Sequence, residues 1–137
     1  MSLFVDTSAW YAAADRGDRS HDQAVAILSS GEALVTTDHV LVETWQLLRH
    51  RLHRAAAERF WASLRRGVAL IEPVIAADLE VAWGVSRDFP DQQFSIVDRT
   101  CFAVLQRLGI RRVAAFDDDF AVFRYGPDLR LAFELAR

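Results

Sequence analysis

The chain has 137 residues, of which 52% are hydrophobic, and its formal net charge is -3. This length and composition suit one compact core, so we expect residues 1–137 to form a single domain. All 16 basic residues are arginine, which excludes a P-loop nucleotide site, a pyridoxal Schiff base and a lysine-dependent receiver pocket.

Short β-like runs alternate with stretches of helical periodicity along the chain. The predicted strands cover residues 3–5, 33–35, 69–71 and 113–116, with a final short strand at 129–133. The predicted helices cover residues 7–14, 21–30, 38–52, 55–66, 76–87, 96–108 and 118–123. Strands that alternate with helices indicate an α/β fold, with a mostly parallel sheet and helices on both of its faces.

The cysteine content and the first residues bear on the compartment. Cys101 is the only cysteine, so an internal disulfide or a cysteine-based zinc cluster is impossible, and a reducing compartment is indicated. The opening MSLFVDTSAW lacks the basic start of a signal peptide, and no apolar run reaches membrane-spanning length. We therefore expect a cytoplasmic protein without a membrane contact.

Acidic residues follow two of the predicted strands. Asp6 comes directly after Leu3-Phe4-Val5, and Asp117 follows the strand at 113–116, with Asp118 and Asp119 beside it. The carboxyl ends of parallel strands meet at one edge of the sheet, where open α/β sheets bind ligands. Taken singly, each of these acids is better explained as a helix N-cap, because aspartate is a preferred capping residue.

Two further acids belong to predicted helices. Ser95 and Asp98 have the spacing of a capping box, and that spacing alone favours a structural cap for Asp98. Glu43 lies in the middle of the helix at 38–52, roughly 40° beyond the edge of its apolar arc and therefore at the border of the core. A glutamate at this border either faces a site or extends its carboxylate into solvent.

The four acids are more informative together than singly. Capping does not explain an acid in mid-helix, nor three acids at one edge of a sheet. Crowded carboxylates repel one another and raise their own pKa values unless a cation neutralises them. The set offers oxygen ligands only, which suit Mg²⁺ or Mn²⁺. The sequence therefore predicts a hard-metal site formed by Asp6, Glu43, Asp98 and Asp117.

Four segments around these acids carry a resemblance to a known family. In order and spacing they resemble the acidic signature of PIN domains, especially of the VapC toxins of bacterial toxin–antitoxin pairs: FVDTSAW, HVLVETWQLL, FSIVDRTCFAVL and VAAFDDDF. The resemblance spans nearly the whole chain. It implies a three-layer α/β/α domain with a small, mostly parallel central sheet, acting as an Mg²⁺- or Mn²⁺-dependent endoribonuclease on RNA.

The resemblance also implies roles for individual residues. Asp6, Glu43, Asp98 and Asp117 would be catalytic and would bind the metal, Asp119 would be a fifth acid near a second metal position, and Thr7 and Ser8 would support the metal shell. The chain has Ala115 where such proteins often have Thr or Ser. Whether Asp117 or Asp119 is the principal fourth ligand therefore stays open.

Partners follow from the same resemblance. It implies a cognate antitoxin protein, which lies along an apolar groove and covers the acid pocket, and a homodimer. Two alternatives remain. One is a housekeeping PIN nuclease that processes RNA without an antitoxin, and the other is a catalytically inactive PIN-like binding module.

The segment at 49–66 is rich in arginine, with Glu58 as its single acid. The net charge of the chain provides no overall attraction for nucleic acid, so an RNA contact has to come from such a local patch. Arginine side chains bind phosphates well. We predict that Arg49, Arg51 and Arg54 contact RNA, although a solvated helix surface is the more common explanation of such a charge run.

Overall fold

The computed structural model describes residues 1–137 and contains a five-stranded parallel sheet in the order β3-β2-β1-β4-β5. The strands are β1 (Ser2–Val5), β2 (Ala33–Thr37), β3 (Leu70–Glu72), β4 (Arg112–Ala114) and β5 (Glu134–Ala136). The helices are α1 (Thr7–Ala14), α2 (His21–Leu28), α3 (Asp38–Arg51), α4 (Arg54–Arg65), α5 (Ala76–Asp88), α6 (Ile96–Leu108) and α7 (Asp119–Val122). No helix has the length and apolar character needed to cross a membrane.

The central strand β1 is covered on both faces. Leu3, Phe4 and Val5 are all fully buried, although successive residues of a strand point to opposite sides of the sheet. Helix α3 packs against α1, α4 and α6, and α5 packs against α6. These layers confirm the predicted α/β/α fold, and the mostly parallel sheet proves to be parallel throughout.

The strand order reverses at β1. The chain adds β2 and β3 on one side of β1 and later adds β4 and β5 on the other. The Asp6 N–H donates to the Ala114 carbonyl oxygen at 3.0 Å, which holds the end of β1 to the end of β4. The crevice at such a reversal is where open sheets of this kind bind ligands, and Asp6 and Asp117 follow its two strands.

The final predicted strand is wrong. The segment at 129–133 is not a strand, and the last strand is β5 at Glu134–Ala136. Residues Pro127–Leu129 form a 3-10 turn, in which Asp128 and Leu129 have φ angles of 57° and 51°. Of the alternating apolar residues in that segment only Phe133 is buried, because the turn leaves Leu131 exposed. The other predicted boundaries differ from the observed ones by at most two residues.

Candidate metal centre

The predicted acids surround one cavity of about 450 Å³ at the carboxyl edge of the sheet. Its lining includes four of them and both predicted supporting residues: Asp6, Glu43, Asp98, Asp117, Thr7 and Ser8. Asp119 is not part of the lining, but its carboxyl group interacts with those of Asp98 and Asp117. The fold therefore brings all five predicted acids to one place.

Asp6 is both a helix cap and a member of the cavity wall. Its Oδ2 accepts the Ser8 backbone N–H at 3.2 Å and the Ser8 hydroxyl at 2.7 Å, which caps α1. The other oxygen, Oδ1, is buried without a hydrogen-bond partner, and so is the Thr7 hydroxyl oxygen. Buried polar atoms are usually paired, so two unpaired ones in one wall point to a ligand. The cap therefore does not exclude a role in metal binding.

Asp98 forms only half of the predicted capping box. The Ser95 hydroxyl accepts the Asp98 backbone N–H at 3.0 Å, whereas the Asp98 carboxylate makes no return bond to the Ser95 backbone. The Asp98 side chain is nevertheless buried, and it lines the cavity. The cap of α6 is provided by Ser95, which leaves the Asp98 carboxylate available for the site.

Glu43 and Asp117 complete the wall. Glu43 is half-buried on α3, at the edge of the face that buries Val40 and Leu48. The N-cap position of α7 is Asp118, and Asp117 Oδ1 accepts the backbone N–H of Asp119, the first residue of that helix, at 3.3 Å. Its neighbour Asp118 is exposed and pairs with Arg137 at 3.1 Å, outside the cavity.

Burial and mutual repulsion weaken the acidity of these carboxyl groups. Burial, assisted by the charge of Asp117, raises the pKa of Asp6 to about 7, against the opposing effect of the Ser8 hydrogen bonds. Burial, a hydrogen bond with Asp119 and the charge of Asp6 raise the pKa of Asp98 to about 8. Burial and the charge of Asp119 also raise the pKa of Asp117. A bound cation would offset this repulsion.

The chemistry of these residues fits a hard divalent cation. All of the donors are oxygens, and the unpaired Oδ1 of Asp6 lies among acids whose pKa values are raised. As the side chains stand, no three acidic, histidine or cysteine residues are arranged to hold a metal ion. Coordination therefore requires side-chain rotations that draw the carboxylates together.

Only one of the three predicted RNA-contacting arginines lines the cavity. Arg51 lines the cavity. Arg49 and Arg54 are exposed outside it, and Arg54 pairs with Glu58 at 3.5 Å. Arg19, in the turn between α1 and α2, also lines the cavity. Arg19 was not predicted from the sequence, because a single arginine in a turn has no periodicity that relates it to a distant site.

The sequence and the fold match one known family. The family model of the PIN domain matches residues 3–124. The chain belongs to the PIN-domain family.

Particular relatives are similar over most of the chain. It is 40% identical over 122 residues to the 23S rRNA-specific endonuclease VapC20 of Mycobacterium tuberculosis, in strains CDC 1551 / Oshkosh and H37Rv, covering 87% of this chain and 92% of the relative. The crystal structure of M. tuberculosis VapC20, described as a sarcin-ricin loop cleaving toxin, matches with a TM-score of 0.81 at 38% identity, again covering 87% and 92%.

More distant structures share the fold alone. VapBC2 from Rickettsia felis, bound to a DNA fragment from its promoter, matches with a TM-score of 0.65 at 9% identity, covering 87% of this chain and 90% of that one. FitAcB from Neisseria gonorrhoeae matches with a TM-score of 0.60 at 13% identity, covering 85% and 88%.

Proposed function

We propose that this protein is an Mg²⁺- or Mn²⁺-dependent endoribonuclease, and that it is the toxin of a toxin–antitoxin pair. The observation that carries the proposal is the buried, unpaired Oδ1 of Asp6 in a cavity that Glu43, Asp98 and Asp117 also line. Identity of 40% to a 23S rRNA-specific endonuclease supports ribosomal RNA as the substrate class. Cleavage of such an RNA in the cytoplasm would block translation.

We assign Asp6, Glu43 and Asp98 to the principal metal, and Asp117 and Asp119 to the shape of the site and to a second ion. A divalent cation supplies charge neutralisation at the phosphate and activation of the attacking water. The protein contributes orientation. Ser8 fixes one oxygen of Asp6 and leaves the other for the site, and burial keeps the carboxylates in a low-dielectric wall where charge interactions are strong.

An exposed apolar stripe and a mostly apolar cleft suit the proposed protein partners. Helix α5 presents Leu79 and Trp83, with Ile75 directly before the helix, at a spacing of four residues on one face, and Trp83 is 77% exposed. A second surface is a cleft of about 260 Å³ lined by residues of α1, α2 and α4, including Trp10, Leu28 and Phe60. We propose that these surfaces serve a homodimer and an antitoxin, with residues 1–137 acting as one PIN domain.

RNA cleavage by the purified protein tests the proposal. We expect cleavage that requires Mg²⁺ or Mn²⁺ and that is lost in Asp6→Asn. The matched control is Asp118→Asn, which changes an exposed aspartate outside the cavity and should cleave as the parent does. Binding of RNA without cleavage by the parent would instead favour an inactive binding module.

Expression without a partner separates a toxin from a housekeeping nuclease. We expect the parent to arrest growth and Asp98→Asn to grow normally. Equal arrest by both would exclude catalysis as the cause, and normal growth with an active parent enzyme would favour a role in RNA processing.

A further inference from the structure

The acidic cavity also contains two arginines. Its lining has five carboxylate residues and two guanidinium residues: Asp6, Asp18, Glu43, Asp98 and Asp117 against Arg19 and Arg51. An RNA strand brings a negative charge with each phosphate, so an acidic wall alone would repel the strand at every phosphate that does not meet a cation. The two arginines are therefore the groups in this cavity that can attract the strand.

Arg51 lies on the same face of α3 as Glu43. Glu43, Leu47 and Arg51 follow at intervals of four residues, and all three line the cavity. At 1.5 Å per residue, Arg51 is displaced from Glu43 by about 12 Å along the helix axis. The backbone of Arg51 is therefore at the far end of the cavity wall from Glu43, which favours contact with a neighbouring phosphate of the strand.

The Arg51 guanidinium is positioned by an aromatic ring. It lies 5.3 Å from the centroid of the buried Tyr11 ring, and the Tyr11 hydroxyl donates to Asp15 Oδ2 at 2.7 Å. Arg51 forms no ion pair, unlike Arg107 and Arg112, which each bind two acids. A stacked guanidinium without a carboxylate partner keeps its planar fork of N–H groups for an anion.

Arg19 belongs to a turn that is held in place by its own hydrogen bonds. Asp15 Oδ1 accepts the Gly17 N–H at 2.9 Å, and Asp18 Oδ1 accepts the Ser20 N–H at 2.8 Å. Arg19 forms no ion pair either, although Asp18 is its neighbour in sequence and accepts the Ser20 N–H through Oδ1. The turn begins one turn of helix beyond Tyr11, so Arg19 and Arg51 reach the cavity from two separate elements.

We propose that Arg51, seated on Tyr11, and Arg19 form a clamp for a phosphate of the RNA strand that flanks the scissile phosphate. This inference rests on the proposed function, since RNA is the ligand. Arg51 and Arg19 hold the strand in register, while the acids act on another phosphate. Of the predicted RNA-contacting residues Arg49, Arg51 and Arg54, Arg51 is the one that lines the cavity.

Salt-dependent RNA binding tests the clamp. The probe is a short fluorescein-labelled single-stranded RNA, with binding measured by fluorescence anisotropy in EDTA over a series of salt concentrations. Because each neutralised phosphate on a single strand contributes about 0.7 to the slope of log affinity against log salt, Arg19→Ala/Arg51→Ala, which removes both contacts to the one phosphate, should lower the slope by about 0.7, and Arg51→Ala alone by a part of this. Arg51→Ala should also weaken binding roughly tenfold at moderate salt.

Two variants serve as controls. Arg111→Ala removes an exposed arginine without an ion pair outside the cavity and should leave affinity and slope unchanged. Arg51→Lys keeps the charge and should keep most of the slope, but it should bind more weakly because the planar fork is lost. If Arg51→Ala proves unstable by circular dichroism, Arg51→Lys and the Arg19→Ala single variant carry the test.

The clamp is overturned if Arg51→Ala, Arg19→Ala/Arg51→Ala and Arg111→Ala all bind RNA with the affinity and salt slope of the parent. In that case Arg51 would have a role in packing or in binding a protein partner instead. The proposed function is judged separately. If the parent binds RNA, the Arg19 and Arg51 variants show the expected losses of binding, and the parent cleaves no RNA, the nuclease is contradicted and the clamp is supported. Cleavage by the parent, together with unchanged binding by the Arg19 and Arg51 variants, contradicts the clamp alone.

Discussion

Ser8 donates a 2.7 Å hydrogen bond from its hydroxyl to Asp6 Oδ2. The same hydroxyl oxygen accepts the Phe116 backbone N–H at 2.9 Å, so the orientation of Asp6 is tied to the chain that leaves β4. One side chain thus connects the two strand ends at the reversal of the sheet, and it leaves Asp6 Oδ1 unpaired in the cavity wall.

Ser8→Ala should weaken metal binding without unfolding the protein. Loss of the hydroxyl breaks the link from the Asp6 carboxylate to the Phe116 N–H and removes a hydrogen bond that lowers the pKa of Asp6, so protons should compete better with the cation. Loss of an orienting partner of this kind costs about 10- to 100-fold in metal affinity. The measurement is the Mn²⁺ dependence of the melting temperature. Ser86→Ala, which changes an exposed serine of α5, is the control, and equal Mn²⁺ affinity for both variants would show that Ser8 does not orient the site.

The pH dependence of stability should reveal the crowded acids. In the folded protein the pKa values of Asp6 and Asp98 are about 7 and about 8, above the ordinary value of 3.8. Because the folded state then binds more protons than the unfolded state between about pH 4 and pH 8, their contribution to stability is fully present below about pH 4 and is lost as the pH rises to about 8. Urea unfolding in EDTA should therefore give a free energy of unfolding that falls across this window.

Asp98→Asn should make the free energy of unfolding depend less on pH, since an amide does not titrate. The control is Asp118→Asn, whose side chain is exposed outside the cavity and whose pH profile should match that of the parent. If the free energy of unfolding of the parent rose steadily from about pH 5 to about pH 8, the crowding of these carboxylates would be contradicted.

A separate ion cluster should stabilise the fold without affecting the site. Arg107 binds the buried Asp78 through two bonds of 3.0 and 2.9 Å and Glu72 through one of 2.8 Å, which joins α6 to α5 and β3. Arg107→Ala leaves the Asp78 carboxylate without its cation and should lower the free energy of unfolding by about 2 to 3 kcal/mol, reduced from the fully buried case because Arg107 is partly exposed.

The free energy of unfolding at low pH provides the check on this ion cluster. Arg107 holds the pKa of Asp78 below its ordinary value, so the stabilisation is present above about pH 4 and is lost as the pH falls further. The difference in free energy of unfolding between the parent and Arg107→Ala should therefore be smaller at about pH 3. Arg111→Ala, at an exposed arginine without an ion pair, should match the parent. If Mn²⁺ raised the melting temperature of Arg107→Ala and that of the parent by different amounts, the ion cluster would not be independent of the metal site.

The order of elements and the acids of the cavity follow from local sequence features. Apolar runs such as Leu3-Phe4-Val5 identify the strands, and the topology of a parallel sheet then places Asp6 and Asp117 at one edge. Local sequence features do not predict contacts that tertiary folding alone creates. The approach of Arg19 to the cavity and the pairing of Arg107 with Asp78 join residues that no local pattern relates.

The end of the chain was mispredicted for a related reason. Alternating apolar residues at 129–133 resemble a strand, but Leu129 has a positive φ within a turn and the ladder to β4 forms only at β5. The short edge strand contains Glu134, which pairs with Arg112 at 2.7 Å across the sheet, and a charged residue in a three-residue strand weakens its apolar signal.

Association through α5 is open to a direct test. The exposed stripe of Leu79 and Trp83 should be covered in a homodimer, because contiguous exposed apolar surface marks interaction sites. Leu79→Glu/Trp83→Glu should give a monomer at concentrations where the parent is a dimer, as measured by light scattering. Val25→Glu, at an exposed residue of α2, is the control. A double variant that remains dimeric would place the interface elsewhere.

The melting temperature of the parent and of Asp98→Asn, each titrated with Mn²⁺ after removal of metal, tests the central claim most directly. Like charges near 4 Å repel by roughly 4 kcal/mol at an effective dielectric of 20, partly relieved by proton uptake, so Asp98→Asn without metal should be as stable as the parent or more so. Mn²⁺ should then raise the melting temperature of the parent as the site fills, and that of the variant much less. A variant that melts lower than the parent without metal, with equal shifts of both proteins by Mn²⁺, would contradict the account and make Asp98 a structural residue of α6.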